Sequence, residues 1–185
     1  MIILSSKLEI KTVVNSLKEN LSESEIYIRA KTILVENGWT LLGGEPPDGT
    51  DNLPRIELKN PHYSGKGSKG SKKVDLIAIK SDRILLLELK RFYSESDIKK
   101  LNEIFSDEEW RIALDTALES KKVFQRVGVK DVPCFGNNKD LIIRAVGLSK
   151  EHIIPNDFLL IIVQKDKYRV RVGDLCKIDK EFFNS

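Results

Sequence analysis

The stretch KVDLIAIKSDRILLLELKRF, residues 73–92, contains eleven apolar residues, ten of them in two runs, 74–80 and 84–91. Both runs are rich in leucine and β-branched residues, and a short polar segment separates them. This pattern predicts a β-hairpin. Three charged residues, Asp75, Glu88 and Lys90, interrupt runs that would otherwise suit a buried sheet.

The length of the turn decides where these three side chains point. If the turn consists of Ser81 and Asp82 alone, Asp75 lies directly opposite Glu88, with Cβ atoms about 5 Å apart on one face of the sheet. Lys90 lies two residues beyond Glu88 and shares that face. A turn one residue longer would put Asp75 and Glu88 on opposite faces.

Two carboxylates so close together repel each other unless a cation lies between them. Mg²⁺ is typically held by one or two carboxylates, with waters and phosphate oxygens completing its shell. Such a metal lowers the pKa of a bound water and polarises a phosphoryl oxygen. A lysine beside it stabilises negative charge that develops on phosphorus substituents. The pattern therefore indicates phosphodiester hydrolysis.

A purely structural interpretation is the alternative. Asp75 could cap the end of a strand, and Glu88 and Lys90 could belong to a solvated polar stripe. However, Glu88 follows the run ILLL at 84–87, which is typical of a strand buried on both faces. An unpaired carboxylate would be costly there, which favours the metal site.

Asp75, twelve intervening residues and then Glu88-Leu89-Lys90 resemble the motif of the PD-(D/E)XK nucleases, the restriction-endonuclease-like superfamily. Val74 stands where the motif's proline would be. The resemblance implies an α/β fold with a mixed central sheet flanked by helices. It also implies that Asp75 and Glu88 bind Mg²⁺, with Mn²⁺ as a substitute, and that Lys90 is the catalytic lysine.

Residues 24–39, SEIYIRAKTILVENGW, resemble the helix that opens the nuclease domain of type I restriction motor subunits. The glutamate of that pattern falls on Glu25, which would be catalytic, and Arg29 is a candidate DNA contact. Holliday-junction resolvases of the same superfamily also use a glutamate in the first helix. Alternatively, Ser22 and Glu25 have the spacing of a capping box, so a structural role for Glu25 is equally open.

The segment 58–74, LKNPHYSGKGSKGSKKV, contains five lysines and no acidic residue. Its glycines predict flexibility, and the simple alternative is a solvated linker. Because it runs directly into Asp75, we expect four of the lysines to contact DNA phosphates: Lys66, Lys69, Lys72 and Lys73. It is not a phosphate-binding loop, since its glycine-lysine order is broken and it precedes a strand rather than a helix.

The rest of the chain reads as one α/β domain spanning 1–185, with an accessory segment at 1–21 and a core at 22–185. Hydrophobic periodicity predicts helices over 22–37 and 95–126, with a new helix start near 106–110, and a weaker helix over 7–19. Strands are predicted in WTLLG, in RIELK and in three segments of the last third, namely 140–148, 157–164 and 168–175. Tyr63 and Tyr93 are candidates for stacking on bases, with ordinary packing as the alternative.

The composition narrows the class of protein. The chain has 185 residues, of which 41% are hydrophobic and 32% charged, enough for one domain with its own core. No apolar run is long enough to span a membrane. Cys134 and Cys176 lie far apart without a CxxC pair, which suits a reducing cytoplasm and argues against a thiolate zinc site. The net charge of +3 says little by itself about nucleic acid.

Together these patterns predict a free-standing, Mg²⁺-dependent endodeoxyribonuclease of restriction type that acts on DNA in the cytoplasm. A nuclease that resolves Holliday junctions or other branched DNA is the nearest alternative. A catalytically silent DNA-binding or assembly subunit with the same fold is the alternative of a different class. The oligomeric state is open, and a homodimer is one of the assemblies considered.

Overall fold

The structure is a computed structural model that describes residues 21–65, 67, 69–176, 178 and 182–183. The predicted accessory helix over 7–19 and the candidate DNA contact Lys66 lie outside the described residues.

In the described part of the chain, helices and strands follow one another in blocks: one helix, five strands, three helices and three strands. The helices are α1 (Glu23–Glu36), α2 (Glu95–Ser106), α3 (Glu108–Ser120) and α4 (Val123–Val127), with a 3₁₀ turn at Lys139–Leu141. The strands are β1 (Thr40–Gly44), β2 (Glu57–Leu58), β3 (Lys72–Lys73), β4 (Leu76–Lys80), β5 (Arg83–Lys90), β6 (Ile142–Leu148), β7 (Leu159–Val163) and β8 (Tyr168–Val172).

Six strands form one mixed sheet in the order β1-β4-β5-β6-β7-β8. The pairs β1–β4, β4–β5 and β7–β8 are antiparallel, whereas β5–β6 and β6–β7 are parallel. A parallel neighbour requires a crossover, and the helices α2, α3 and α4 lie in the connection from β5 to β6. The prediction of a mixed central sheet flanked by helices is confirmed.

Helix α1 matches the predicted segment 22–37 to within a residue at each end. At its start, the Ser22 side chain accepts a hydrogen bond from the Glu25 N–H, and Glu25 reaches back to the Ser22 N–H, so the capping box forms. At its end, Gly38 has a φ of +78°, a left-handed conformation that favours glycine. The Trp39 N–H then donates to the Leu34 carbonyl at 2.9 Å, which closes a Schellman motif.

The predicted helical region 95–126 is divided into three helices. Asp107 ends α2 and caps α3, because its side chain accepts a hydrogen bond from the Glu109 N–H at 2.9 Å. The predicted new helix start near 106–110 is therefore confirmed. By contrast, the predicted strand RIELK is only the two-residue β2, which pairs with β3 outside the main sheet.

The core consists of two layers, one on each face of the sheet. Helix α1 packs on one face, here called the α1 face, against strand residues such as Leu85, Leu87 and Leu89. Helices α2 and α3 pack on the other, the α2–α3 face, against residues such as Ile84 and Leu86. Because side chains alternate along a strand, Glu88 and Lys90 of β5 belong to the α2–α3 face.

None of the helices in the described part of the chain is long and apolar enough to cross a membrane.

Candidate carboxylate–lysine site

The hairpin has the register that brings the three charged residues together. Lys80 pairs with Arg83 and Leu76 with Leu87, so the turn contains only Ser81 and Asp82. Ser81 adopts a φ of +56°, as the tight turns that connect twisted strands require. The same register, continued by one residue beyond β4, puts Asp75 beside Glu88.

Asp75 is held at the end of the hairpin by the backbone of the opposite strand. Its Oδ2 accepts a hydrogen bond from the Leu89 N–H at 2.8 Å. The Lys90 ammonium lies 4.0 Å from the same oxygen, at the outer limit of an ion pair. The predicted grouping of Asp75 with Lys90 is therefore present in the fold.

Glu88 is the most constrained member of the group, with only 1% of its surface exposed. The Lys100 ammonium lies 2.7 Å from Oε1, but neither Glu88 oxygen accepts a well-directed hydrogen bond from a described residue. Burial and the nearby Asp75 charge raise the pKa of the Glu88 carboxyl to about 8, against the opposing effect of Lys100. The Lys100 ammonium is therefore the cation that the Glu88 carboxylate faces in this structure.

The same surroundings also shift the pKa values of Asp75 and Lys90. Burial raises the pKa of Asp75, although the Leu89 N–H and the Lys90 charge oppose the shift. Burial alone would lower the pKa of the Lys90 ammonium, but surrounding carboxylates, Asp75 foremost, outweigh it and raise that pKa. Lys90 therefore stays positively charged at neutral pH and suits an electrostatic role better than that of a base.

Two residues of α2 complete the site and were missed by the sequence reasoning. Lys100 pairs with Glu88, and its ammonium also lies 3.7 Å from Asp97 Oδ1. The Oδ2 atom of Asp97 is buried without a hydrogen-bond partner among the described residues. The signal was present in the sequence, because Asp97 precedes the buried stripe of Ile98 and Leu101 on a helix that directly follows the hairpin.

Glu25 is used by the capping box and lies on the exposed side of α1. Its Oε2 accepts hydrogen bonds from the Ser22 N–H at 2.7 Å and from the Ser22 hydroxyl at 2.8 Å. Helix α1 packs on the α1 face, whereas Glu88 points to the α2–α3 face. The structural alternative is thus realised, and the catalytic role of Glu25 stays a prediction.

From α1, the carboxylate that acts on the hairpin is Glu23. Its negative charge is among those that raise the pKa of Lys90. Glu23 is half-buried and lies three and four residues before Ile26 and Tyr27, which are buried. This spacing could have identified Glu23, rather than Glu25, as the glutamate on the inner side of the helix.

The predicted DNA contacts, Arg29 and the lysines of the loop before the hairpin, lie in different surroundings. Arg29 lines a shallow concavity with Glu25, Gln164 and Asp166, on the outer side of α1. Among the described residues, no contact joins Arg29 to the carboxylates of the hairpin. Its role as a DNA contact stays a prediction.

Of the loop lysines, Lys69 is exposed, with its ammonium 5.7 Å from the centre of the Tyr63 ring, and Lys73 is 43% exposed. Lys72 is not available in the same way. Its ammonium forms an ion pair with Glu103 and lies 4.4 Å from the centre of the Trp110 ring. Lys72 in β3 thus anchors the loop to α2 and α3, which corrects the interpretation of the loop as uniformly flexible.

The residues fit a hard cation such as Mg²⁺ in their chemistry, because Asp75, Glu88 and Asp97 supply carboxylate oxygens, and Asp97 Oδ2 is buried without a hydrogen-bond partner among the described residues. Among the described residues no three His, Cys, Asp or Glu side chains are arranged as a ready-made metal site. Asp75 and Glu88 are the pair that would hold the ion, with Lys100 now beside one of them. Comparisons with protein-family models, curated proteins and solved structures gave no match to this chain.

Proposed function

We propose that this protein is a Mg²⁺-dependent endodeoxyribonuclease with a restriction-endonuclease-like core. The observation that carries the proposal is the Glu88 carboxylate, which is 1% exposed, lies beside Asp75 at the end of the central hairpin and has the Lys100 ammonium 2.7 Å away. Because the Asp75 and Glu88 carboxylates repel each other, a cation bound between them would stabilise both. The resemblance of Asp75, Glu88 and Lys90 to the PD-(D/E)XK motif supports the same conclusion.

Each residue has a distinct role in this proposal. Asp75 and Glu88 bind Mg²⁺ or Mn²⁺, and the metal contributes Lewis-acid stabilisation of the scissile phosphate. Lys90 stays charged and stabilises the negative charge that develops on the phosphate oxygens. Leu89 supports the arrangement through its backbone, because its N–H fixes the orientation of the Asp75 carboxylate. Lys69 and Lys73 supply positive charge that holds the DNA backbone without reading its sequence.

A direct test incubates supercoiled plasmid with the protein in MgCl₂, in MnCl₂ and in EDTA. Nicking or linearisation should require the metal and should be lost in Asp75→Asn and in Lys90→Ala. Lys130→Ala, an exposed lysine in the loop after α4, is the matched control and should cleave normally. Light scattering on the active fraction identifies the cleaving species as a monomer or a homodimer.

Duplex, single-stranded and branched substrates in the same assay separate a restriction-type enzyme from a resolving nuclease. Absence of metal-dependent cleavage on all three, together with DNA binding, would leave the silent DNA-binding subunit as the function. Cleavage that survives Asp75→Asn would remove the carboxylate pair from the mechanism.

A further inference from the structure

Two large apolar side chains are exposed beside the carboxylate–lysine site. Phe92, two residues after Lys90, is 70% exposed, and Ile153, in the loop between β6 and β7, is 87% exposed. Exposed apolar side chains that cluster at one place mark binding surfaces more often than isolated ones do. We call the group formed by Arg91, Phe92, Tyr93, His152 and Ile153 the Phe92 platform.

The parallel register brings the two parts of the Phe92 platform to one edge of the sheet. Lys90, the last residue of β5, pairs with Leu148, the last residue of β6. The chain after each strand therefore leaves the sheet at the same edge, where Lys90 and the carboxylates also lie. A ligand on the platform would therefore lie at the edge of the sheet that also carries Lys90, Glu88 and Asp75.

A stacked ring pair, hydrogen bonds and an ion pair hold the residues of the Phe92 platform in place. The rings of Tyr93 and His152 stack with centroids 4.4 Å apart and planes 2° from parallel. The Ser149 hydroxyl donates to the Arg91 carbonyl at 3.1 Å. From β8, Arg171 donates to the His152 carbonyl at 2.7 Å and its guanidinium lies 3.0 Å from a Glu151 oxygen.

This support answers the question that the sequence left open about Tyr93. One face of its ring is covered by His152, and Tyr93 packs against the core of the α2–α3 face. Tyr93 thus packs as a support, its stacking on bases stays a prediction, and the Phe92 ring is 70% exposed and accessible to a ligand.

The chemistry of the platform matches a nucleobase joined to a phosphate. The Arg91 guanidinium lies over the Phe92 ring, 5.4 Å from its centre, so a cation and an aromatic ring occur together. Lys90 adds a second positive charge in the same segment. Aromatic rings stack on unpaired bases while cations hold the backbone, whereas the bases of an intact duplex are not open to such stacking.

We infer that Phe92 stacks on an unpaired base next to the scissile phosphate, so that the preferred substrate contains single-stranded or unpaired DNA. This inference rests on the proposed nuclease function for the identity of the substrate. It differs from that proposal in assigning a residue, Phe92, that selects between single-stranded and duplex DNA.

The test measures DNA binding in EDTA, where no cleavage occurs, by fluorescence anisotropy of a labelled single-stranded oligonucleotide and of its duplex. Phe92→Ala should weaken binding of the single strand about tenfold, the loss typical of one stacked base, and change duplex binding less than about twofold. Phe92→Trp should retain the affinity, and its indole fluorescence should be quenched on binding. Ile28→Ala, at a 63% exposed residue of α1, is the matched control and should bind as the native protein does.

Several outcomes would overturn the inference. These are an unchanged affinity of Phe92→Ala for the single strand, an equal loss on single strand and duplex, or no binding of the single strand by the native protein. A lower oligomeric state of Phe92→Ala in sedimentation would assign the platform to contact between two copies of the chain and would also overturn it.

Cleavage measured in parallel separates this inference from the proposed function. If the native protein cleaves DNA only with metal, but Phe92→Ala binds the single strand as the native protein does, the stacking role is refuted and the nuclease function stands. Phe92-dependent binding of single strands without metal-dependent cleavage supports the stacking role and refutes the nuclease.

Discussion

At the scale of single residues, the defining feature of the site is the buried Glu88 carboxylate, whose negative charge is only partly balanced by its neighbours. Glu88 is 1% exposed, and its carboxylate faces the Asp75 carboxylate and the Lys100 ammonium. Removing one partner of a buried ion pair is costly because the other charge is left behind. The individual members of this group therefore have opposite expected effects on stability, which makes them separable by mutation.

Asp75→Asn should hold or raise the stability of the metal-free protein and abolish its response to Mg²⁺. The amide keeps an oxygen that can accept from the Leu89 N–H, while the charge that opposes Glu88 is removed. Mg²⁺ at about 100 times its Kd should stabilise the native protein by about 2.7 kcal/mol through mass action. Thermal melts in EDTA and in MgCl₂ measure both effects, and an equal metal response in the two proteins would contradict the assignment of Asp75.

Lys100→Met should destabilise the metal-free protein by roughly 1–3 kcal/mol. This is below the cost of breaking a fully buried pair because the Lys100 side chain is 24% exposed. Mg²⁺ should restore more stability to this variant than to the native protein, since the metal takes the place of the ammonium. Denaturant titrations with and without Mg²⁺ provide the measurement, with the exposed neighbour Lys99→Met as control. A smaller stabilisation by Mg²⁺ in Lys100→Met than in the native protein would mean that the Lys100 ammonium does not occupy the position of the metal ion.

At the scale of elements, α1 illustrates how far local sequence signals reach. Its two ends follow from short-range rules, with the Ser22–Glu25 capping box at one end and Gly38 in left-handed conformation at the other. The face of the sheet that α1 covers does not follow from such rules, and this face decides which of its glutamates approaches the hairpin.

Glu25→Gln should leave cleavage unchanged and reduce the pH dependence of stability. Hydrogen bonds from the Ser22 backbone and hydroxyl lower the pKa of Glu25 below its ordinary value of 4.5. The folded state thus binds fewer protons than the unfolded state, so this contribution is present above about pH 4.5 and is lost as the pH falls through the lowered pKa. The difference in unfolding free energy between native and Glu25→Gln, measured from pH 7 to pH 3, should shrink toward low pH.

Ser22→Ala is the complementary variant, since it removes the cap and leaves the Glu25 carboxylate. It should lose about 1 kcal/mol of stability and cleave DNA normally at a permissive temperature. If Glu25→Gln instead cleaves far more slowly than Ser22→Ala at equal folded fraction, the first-helix glutamate is catalytic.

The lysines of the loop before the hairpin should divide into two classes. Lys69→Ser with Lys73→Ser should weaken DNA binding and flatten its dependence on log salt by up to about 1.8, the slope expected for two phosphate contacts. Lys72→Ser should lower stability on the order of 1 kcal/mol, because it loses Glu103 and the Trp110 ring, and should leave the salt slope unchanged. Binding titrations at several salt concentrations decide this, with Lys130→Ser as control. A slope that changes only with Lys72→Ser would reverse the two classes.

At the scale of the whole molecule, residues near the end of the described chain complete the layer on the α1 face. Trp39, which follows the end of α1, has the rings of Phe182 and Phe183 at 5.8 Å and 5.7 Å. The Lys80 ammonium, at the end of β4, donates to the carbonyls of Asn37 and Phe182. One lysine next to the central hairpin thereby joins the first helix to the last described residues.

Phe183→Ala should therefore destabilise the fold by about 3 kcal/mol, because it leaves a cavity beside the buried Trp39. The emission of Trp39, which is 2% exposed, should shift to longer wavelength as water gains access. Urea denaturation gives the stability, and a Trp110→Phe background isolates the Trp39 signal. An unchanged spectrum and stability would show that the contact with Phe183 contributes little.

Sequence alone determined the parts of this protein that depend on neighbours in the chain. The hairpin over 73–92 and the shared face of Glu88 and Lys90 follow from local patterning, whereas the two-residue turn that adds Asp75 to that face was one of two lengths the sequence allowed and is fixed by the structure. The caps of α1 and the break at Asp107 are local in the same sense. These features could be predicted because their determinants lie within a few residues of one another.

Only the tertiary structure decided which distant side chains meet this hairpin. Helix α1 packs on one face of the sheet and α2 on the other. This arrangement brings Lys100 to Glu88 and Glu103 to Lys72 as ion pairs, and it leaves Glu25 exposed to solvent. The partners in these contacts are separated by 12 residues (Glu88 and Lys100) and 31 residues (Lys72 and Glu103), and they lie on elements whose side of the sheet is not encoded in their periodicity. Hydrophobic patterning specifies that a helix covers the sheet, but the chain path and the shared burial of both layers specify which face it covers.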